Sequence, residues 1–188
     1  MFKEILASLR AIIVLTLITS VAYPLAITAI GQLAFPAQAN GSLVKSGDTI
    51  VGSTLLAQKF TAPGYFAPRP SAADYATVAS GASNQGYTSK RNLDAITERR
   101  ATLGANAPSD LLTASGSGLD PDISPEAARF QAARVAGARG LPMEIVQKLV
   151  ADHTQPPQLG FLGQARVNVL ALNLALDSAS AGNPDRVR

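Results

Sequence analysis

The chain has 188 residues, of which 47% are hydrophobic and only 15% charged, a balance that excludes a disordered or highly solvated chain. Its 16 Lys and Arg against 13 Asp and Glu leave a formal charge of +3, spread singly and not in basic blocks, so no nucleic-acid footprint is present. With no Cys and one His, disulfide frameworks, zinc clusters and thiol nucleophiles drop out.

From Ala11 to Phe35 the sequence carries no charge, and the uncharged stretch runs on to Val44. At about 1.5 Å per residue a helix of that length exceeds a hydrocarbon core of ~30 Å, which predicts one transmembrane helix over 11–35. Lys3 and Arg10 precede it with only Glu4 opposed, and the next cation is Lys45. The positive-inside rule then puts residues 1–10 in the cytoplasm and the remainder outside, as one domain over 40–188. The rival is a cleaved signal peptide, because Ala37-Gln38-Ala39 fits the small-residue cleavage pattern. A signal peptide's apolar core usually runs ~7 to 15 residues, so an uncleaved anchor is expected. Within the span Thr16, Ser20, Pro24, Thr28 and Gln32 recur at four-residue steps. Two readings of this stripe stand side by side: Thr16, Ser20, Pro24 and Thr28 contact a partner helix, or each hydroxyl bonds its own preceding turn while Pro24 kinks the helix.

Past the span, the chain to about Asn106 is dense in Gly, Ser, Thr, Pro and Tyr, with short apolar runs at Thr49–Val51 and Thr54–Ala57, and reads as short strands and ordered loops. The stretch Ser80-Gly81-Ala82-Ser83-Asn84-Gln85-Gly86 has glycines that could converge N–H groups on an anion, but no Lys in the chain follows a Gly, so a surface loop is expected. From Leu93 the pattern turns helical, with Leu93, Ile96 and Leu103 on one face and Gly104 at the end. Ser124, Pro125 and Glu126 open the next helix, with Phe130, Ala133 and Gly137 predicted inward and Gly140 closing it. A third begins at Pro142, turns Ile145, Val146, Leu149 and Val150 inward and ends near His153; the last, from Asn168 to about Ser178, alternates ambiguously between a core helix and a buried strand, and its length and Asn168 as cap favour a helix. The fold class is therefore mixed α/β (α+β), with one membrane helix, then a single outer domain with short strands first and helices later.

Chemistry is thinly represented. His153 lies at a predicted helix end where a cation is favoured, and its neighbour Asp152 projects about 100° away, so no triad forms. Asp120 and Asp122 are too few for a hard-cation site and are expected to support the helix that starts at Ser124. No catalytic, cofactor-binding or metal-binding residue is assigned.

Read in order, Tyr23-Pro24-Leu25, Gln38-Ala39-Asn40-Gly41-Ser42-Leu43, Tyr65-Phe66, Arg69-Pro70-Ser71-Ala72, Ser83-Asn84 and Thr113-Ala114-Ser115-Gly116-Ser117-Gly118-Leu119-Asp120 form a series that continues to the chain's end. It goes on through Ile123-Ser124-Pro125-Glu126-Ala127-Ala128, Arg134-Val135-Ala136, Val167-Asn168-Val169-Leu170 and Leu172-Asn173-Leu174-Ala175-Leu176-Asp177. The whole resembles the KdpC family, the C subunit of the bacterial potassium-transporting P-type ATPase. The resemblance implies a noncatalytic, single-span inner-membrane subunit with an outer domain, supporting assembly and activity. Its implied partners are an A subunit carrying the potassium pathway and a B subunit phosphorylated by ATP, with a small F subunit as a further candidate. Mg-ATP and potassium would be used by the complex, with none bound by this chain. A likeness of the family's Ser-Gly-Asn loop to an ATPase signature associates it with ATP binding; this chain departs from that pattern at Ala82, Gln85 and Tyr87, and elsewhere at Asp122. Tyr65, Phe66, Arg69, Ser83, Asn84, Ser115, Gly116, Ser117, Gly118 and Asp120 are the residues expected to form outer-domain contacts or structural loops. The alternative to a subunit is an independent anchored or secreted binding protein, its ligand among Tyr65, Phe66, Arg69 and Asp120.

Overall fold

A helix that begins at Phe2 and continues to Ala34 opens the computed structural model, which describes residues 1–181. It comprises α1 (Phe2–Thr16), a π-helical turn over Leu17–Ala22 and α2 (Tyr23–Ala34). Its 33 residues are long and apolar enough to cross a membrane, and none of its most apolar stretch is buried within the chain. The charged residues Lys3, Glu4 and Arg10 thus lie on the helix itself: charge marks where the apolar stretch begins, and the backbone helix starts well before it. The widened turn has a local cause. Pro24 has no N–H to offer the carbonyl a turn earlier, and the ladder relaxes into longer-range bonds ahead of it. A short α3 (Pro36–Ala39) follows, where the Asn40 amide donates to Gln32 Oε1 (3.0 Å) and Pro36 O (2.7 Å).

The chain divides into two units, Met1–Val44 and the residues from Lys45 onward. The part of the expected 40–188 domain that lies past residue 181 is outside the described residues. Strands β1 (Leu43–Ser46) and β2 (Thr49–Ser53) make a two-stranded sheet. Thr54–Ala57, expected with the strands, instead forms a turn in which Ser53 Oγ accepts the Leu55 N–H. An extended, irregular stretch rich in Pro, Gly and Ser then leads to α4 (Lys90–Leu103) and α5 (Ser109–Leu112). After these come β3 (Asp122–Ile123), α6 (Pro125–Arg139), α7 (Met143–Asp152), β4 (Thr154–Gln155), β5 (Arg166–Asn168) and α8 (Val169–Ala181). The three short strands form an antiparallel sheet in the order β3-β5-β4, with Ile123 opposite Val167 and Val167 opposite Thr154.

Helix α6 shows why the local signals succeed. Ser124 Oγ accepts the Ala127 N–H at 3.0 Å, Pro125 occupies the first turn where no donor is needed, and Gly140 takes the left-handed conformation while Leu141 N–H returns to Ala136 O. The inward face, however, is not the expected one. Ala127, Ala128, Gln131, Ala132, Val135 and Ala136 are buried, Ala133 and Gly137 are exposed, and Phe130 is half-buried. Small side chains let α6 lie close against α7, which packs in turn on α8. On α4 no residue is buried: Leu93 and Leu103 face solvent, and Arg99 turns inward to donate to Leu112 O at 2.7 Å. Helix α7 buries Val146 and Val150, with Leu149 half-buried and Ile145 exposed. Helix α8 is the core element. Asn168 Oδ1 caps it by accepting the Ala171 N–H at 3.1 Å, and Leu172 and Leu176 are fully buried in a core shared with Phe66, Val135, Val146 and Val167.

Candidate functional site

The segment from Phe60 to Tyr75 has almost no regular structure of its own, and several of its backbone groups are satisfied by side chains from the helices beneath it. Phe66 is fully buried; its N–H donates to Asn173 Oδ1 (2.9 Å) and its carbonyl accepts from Asn173 Nδ2 (3.0 Å). One residue on, Ala67 N–H donates to Gln131 Oε1 (2.8 Å) and Ala67 O accepts from Gln131 Nε2 (3.0 Å). Two buried amides thus pair with two consecutive residues as a neighbouring strand would. Arg134 donates to the carbonyls of Pro63 and Tyr65, and burial lowers the pKa of its guanidinium. Tyr65 lies under the Arg139 guanidinium, 4.4 Å from the ring centroid, and donates to Asp177, which Arg139 also engages at 2.7 Å.

Arg69 faces another way. It pairs with Asp120 at 3.1 Å, and Asp120 Oδ1 accepts the Asp122 N–H. Tyr75 donates to the Arg69 carbonyl, and burial, helped by Asp74, raises the phenol's pKa. Tyr65, Phe66, Arg69 and Asp120 therefore fall in two neighbourhoods: Phe66 is sealed in the core, Tyr65 engages Asp177, and Arg69 and Asp120 pair with each other. Nor do Asp120 and Asp122 support the start of α6. The carboxylate that does so is Asp110, which accepts the Ser124 N–H at 2.8 Å. Asp122 instead reaches Arg166 at 3.2 Å and the Asn168 amide, with burial raising its pKa.

The two glycine-rich stretches meet. Gly118 has φ +71°, and a Cβ there would lie 2.8 Å from the Gly81 carbonyl oxygen and 3.3 Å from Ser71 Oγ. Ser117 Oγ accepts the Leu119 N–H, and Ser115 N–H donates to Pro70 O at 2.9 Å while its hydroxyl is buried with no hydrogen-bond partner among the described residues. A Cβ on Gly116 would meet nothing within 4 Å. Ser83 and Asn84 are exposed, with Asn84 at φ +53°, beside a cavity of about 410 Å³ that Ser83, Arg91 and Arg99 help to line. In the apolar helix, Thr28 Oγ1 donates to Pro24 O at 2.8 Å, closing its own preceding turn; Thr16 and Ser20 make no side-chain hydrogen bond among the described residues. His153 Nδ1 lies 2.9 Å from Leu149 O at the end of α7, and among the described residues no three His, Asp or Glu side chains converge as a metal site would require.

The family model described as K+-transporting ATPase, c chain, matches residues 5–178, taking in the apolar helix and nearly all of the described domain. This chain belongs to the KdpC family. Among curated KdpC proteins, the potassium-transporting ATPase KdpC subunit of Polaromonas naphthalenivorans is 56% identical over 180 residues, covering 90% of this chain and 92% of its own. That of Pseudomonas aeruginosa is 52% identical over 182 residues (94% and 97%), and that of Cereibacter sphaeroides 50% over 185 (96% and 100%). Within this KdpC-family chain, Asn173 belongs to a run that carries the family resemblance without itself pointing to a role, and Gln131 carries no signal at all. The clue available for Asn173 is a polar residue at a helical position set among apolar ones, here Leu170, Leu172 and Leu176.

Proposed function

We propose that the chain is an accessory, noncatalytic subunit of an ATP-driven potassium importer, held in the inner membrane by its apolar helix. The observation that carries this reading is the family match over residues 5–178, which joins the span and the domain in one subunit description. The N-terminus is cytoplasmic, since Lys3 and Arg10 are the cations flanking the span on that side. The outer domain and the intramembrane face with Thr16, Ser20 and Pro24 then dock on the larger subunits, the potassium-pathway A and phosphorylated B subunits, with the small F subunit beside them. Full-length tagged chain, extracted in mild detergent, is expected to bring down two much larger membrane proteins with potassium-stimulated ATPase activity. Elution alone would refute the proposal. Protease added outside spheroplasts is expected to digest residues from Asn40 onward and to spare the N-terminus, and intact mass is expected to retain Met1 or Phe2. A mature chain starting at Asn40 would remove the anchor.

On this reading Mg-ATP and potassium belong to the rest of the complex. Ser83 and Asn84 sit on an exposed loop with no lysine in it, and a nucleotide phosphate chain is normally met by convergent N–H groups together with a Lys and a magnesium ligand. Calorimetric titration of the purified chain with Mg-ATP is expected to give no saturable heat. Micromolar binding lost on Ser83→Ala would assign the loop a nucleotide role.

A further inference from the structure

Beside Tyr65 a groove of about 970 Å³ runs between α4, α6 and the Phe60–Tyr75 segment, at the upper end of the ~300 to 1,000 Å³ of ligand-sized pockets. Its walls are apolar, with Phe60, Tyr65, Leu103, Leu111 and Phe130 the largest contributors. Arg99 enters from α4 and Arg134 from α6. Among the described residues of the domain, Arg69, Arg139 and Arg166 form ion pairs with Asp120, Asp177 and Asp122, whereas Arg99 and Arg134 reach only neutral oxygens. Glu98, also on the groove, is exposed and forms no ion pair among the described residues. Two partly covered cations on an apolar surface call for an anion set in an apolar body.

Backbone chemistry narrows the occupant. Pro63, Pro68 and Pro70 have no N–H, the Tyr65 and Ala67 N–H groups are taken by Ala62 O and Gln131, and the helical walls have theirs bonded internally. Few N–H groups along these residues are left to pair with a strand, so recognition rests mainly on side chains. We infer that the groove receives a segment of one of the larger subunits in which an apolar anchor side chain is flanked by Asp or Glu, the carboxylate pairing with Arg99 or Arg134. This rests on the subunit reading above. An aromatic-lined pocket with arginines at its edge is the composition in which binding energy concentrates at protein interfaces.

Ala133 is exposed on the α6 wall of the groove and is a good place to add charge without touching the core. In the full complex, Ala133→Glu is expected to reduce recovery of the larger subunits by more than tenfold, through like-charge repulsion and capture of Arg134. Ala133→Lys, of similar bulk, is expected to stay within about threefold of wild type, both variants keeping the wild-type melting temperature. Equal recovery with both substitutions, or equal loss, would overturn the acidic occupant. A photo-crosslinking residue at position 133 is expected to yield an adduct with an Asp- or Glu-containing peptide of a larger subunit. An adduct carrying a phospholipid mass would overturn the proposal in favour of a lipid in the groove. Failure of the wild-type chain to bring down any larger subunit would instead refute the subunit reading, whereas wild-type assembly with an insensitive Ala133→Glu would refute only the groove.

Discussion

Replacing Asn173 by alanine is expected to destabilise the domain by about 3 to 5 kcal/mol, lowering its melting temperature by roughly 6 to 20 °C. The side chain is 1% exposed and supplies both an acceptor for Phe66 N–H and a donor for Phe66 O. Its removal strands two buried backbone groups, each costing about 1 to 3 kcal/mol, and leaves a void besides. Asn173→Leu separates the contributions, because it refills the volume and still strands both groups; it is expected to be nearly as harmful. Asn173→Asp tests the donor. Its carboxylate keeps the acceptor for Phe66 N–H but turns an anionic oxygen toward the Phe66 carbonyl, so burial and that repulsion raise the introduced carboxyl's pKa above its unfolded value of about 3.9. The folded state then binds the proton more tightly, and the variant's stability falls as pH rises through this window and is recovered as pH falls toward 4, where the neutral acid can donate. Thermal unfolding in detergent from pH 4 to 7 measures all three; an alanine variant within 1 kcal/mol of wild type would show that the segment carries itself.

That amide also marks the limit of what the chain's pattern reveals. Signals carried within a few residues were legible: the Ser124 cap, the Gly140 stop, the Asn168 cap and the helical character of the last apolar run all depend on contacts between near neighbours. The inward face of α6 was not, because Ala fills both sides of that helix and the largest side chain, Phe130, suggests a face that the structure leaves half-covered. Gln131 points inward to satisfy Ala67, a residue 64 positions away, and no period encodes that need. The short strands β3, β4 and β5 escaped for a related reason, since two or three residues are too few to alternate, and the register between Ile123 and Val167 is set by what each packs on. Among the candidate residues, Tyr65, Phe66, Arg69 and Asp120 were found by resemblance as separate strings. Only the fold shows that they serve two different neighbourhoods, Tyr65 and Phe66 against α8 and Arg69 against the Ser115–Asp120 turn.

Gly118→Ala is expected to destabilise the domain by about 2 to 4 kcal/mol, from left-handed backbone strain and from overpacking. At φ +71° an L side chain is disfavoured, and the added Cβ would lie 2.8 Å from Gly81 O and 3.3 Å from Gly81 N. Those are backbone atoms, which cannot swing aside as the tip of a side chain would, so either the Ser80–Gly86 loop lifts or the Ser115–Asp120 turn opens. Two controls make the assignment specific. Gly116→Ala, two residues away, meets nothing within 4 Å and is expected to change stability by less than about 1 kcal/mol. Gly81→Ala changes the other partner of the same contact, yet its Cβ would point into open space, so it too is expected to be mild although Gly118→Ala is not. Such an asymmetry between touching residues follows from the direction of the two Cα–Cβ bonds and from nothing in the local sequence. The same variants, recovered with the larger subunits, locate the segment's role. Loss of stability with Gly118→Ala alone marks an internal turn that holds two loops together. Unchanged melting with lost recovery of the complex, for Gly116→Ala as well as Gly118→Ala, would transfer the segment to a docking surface.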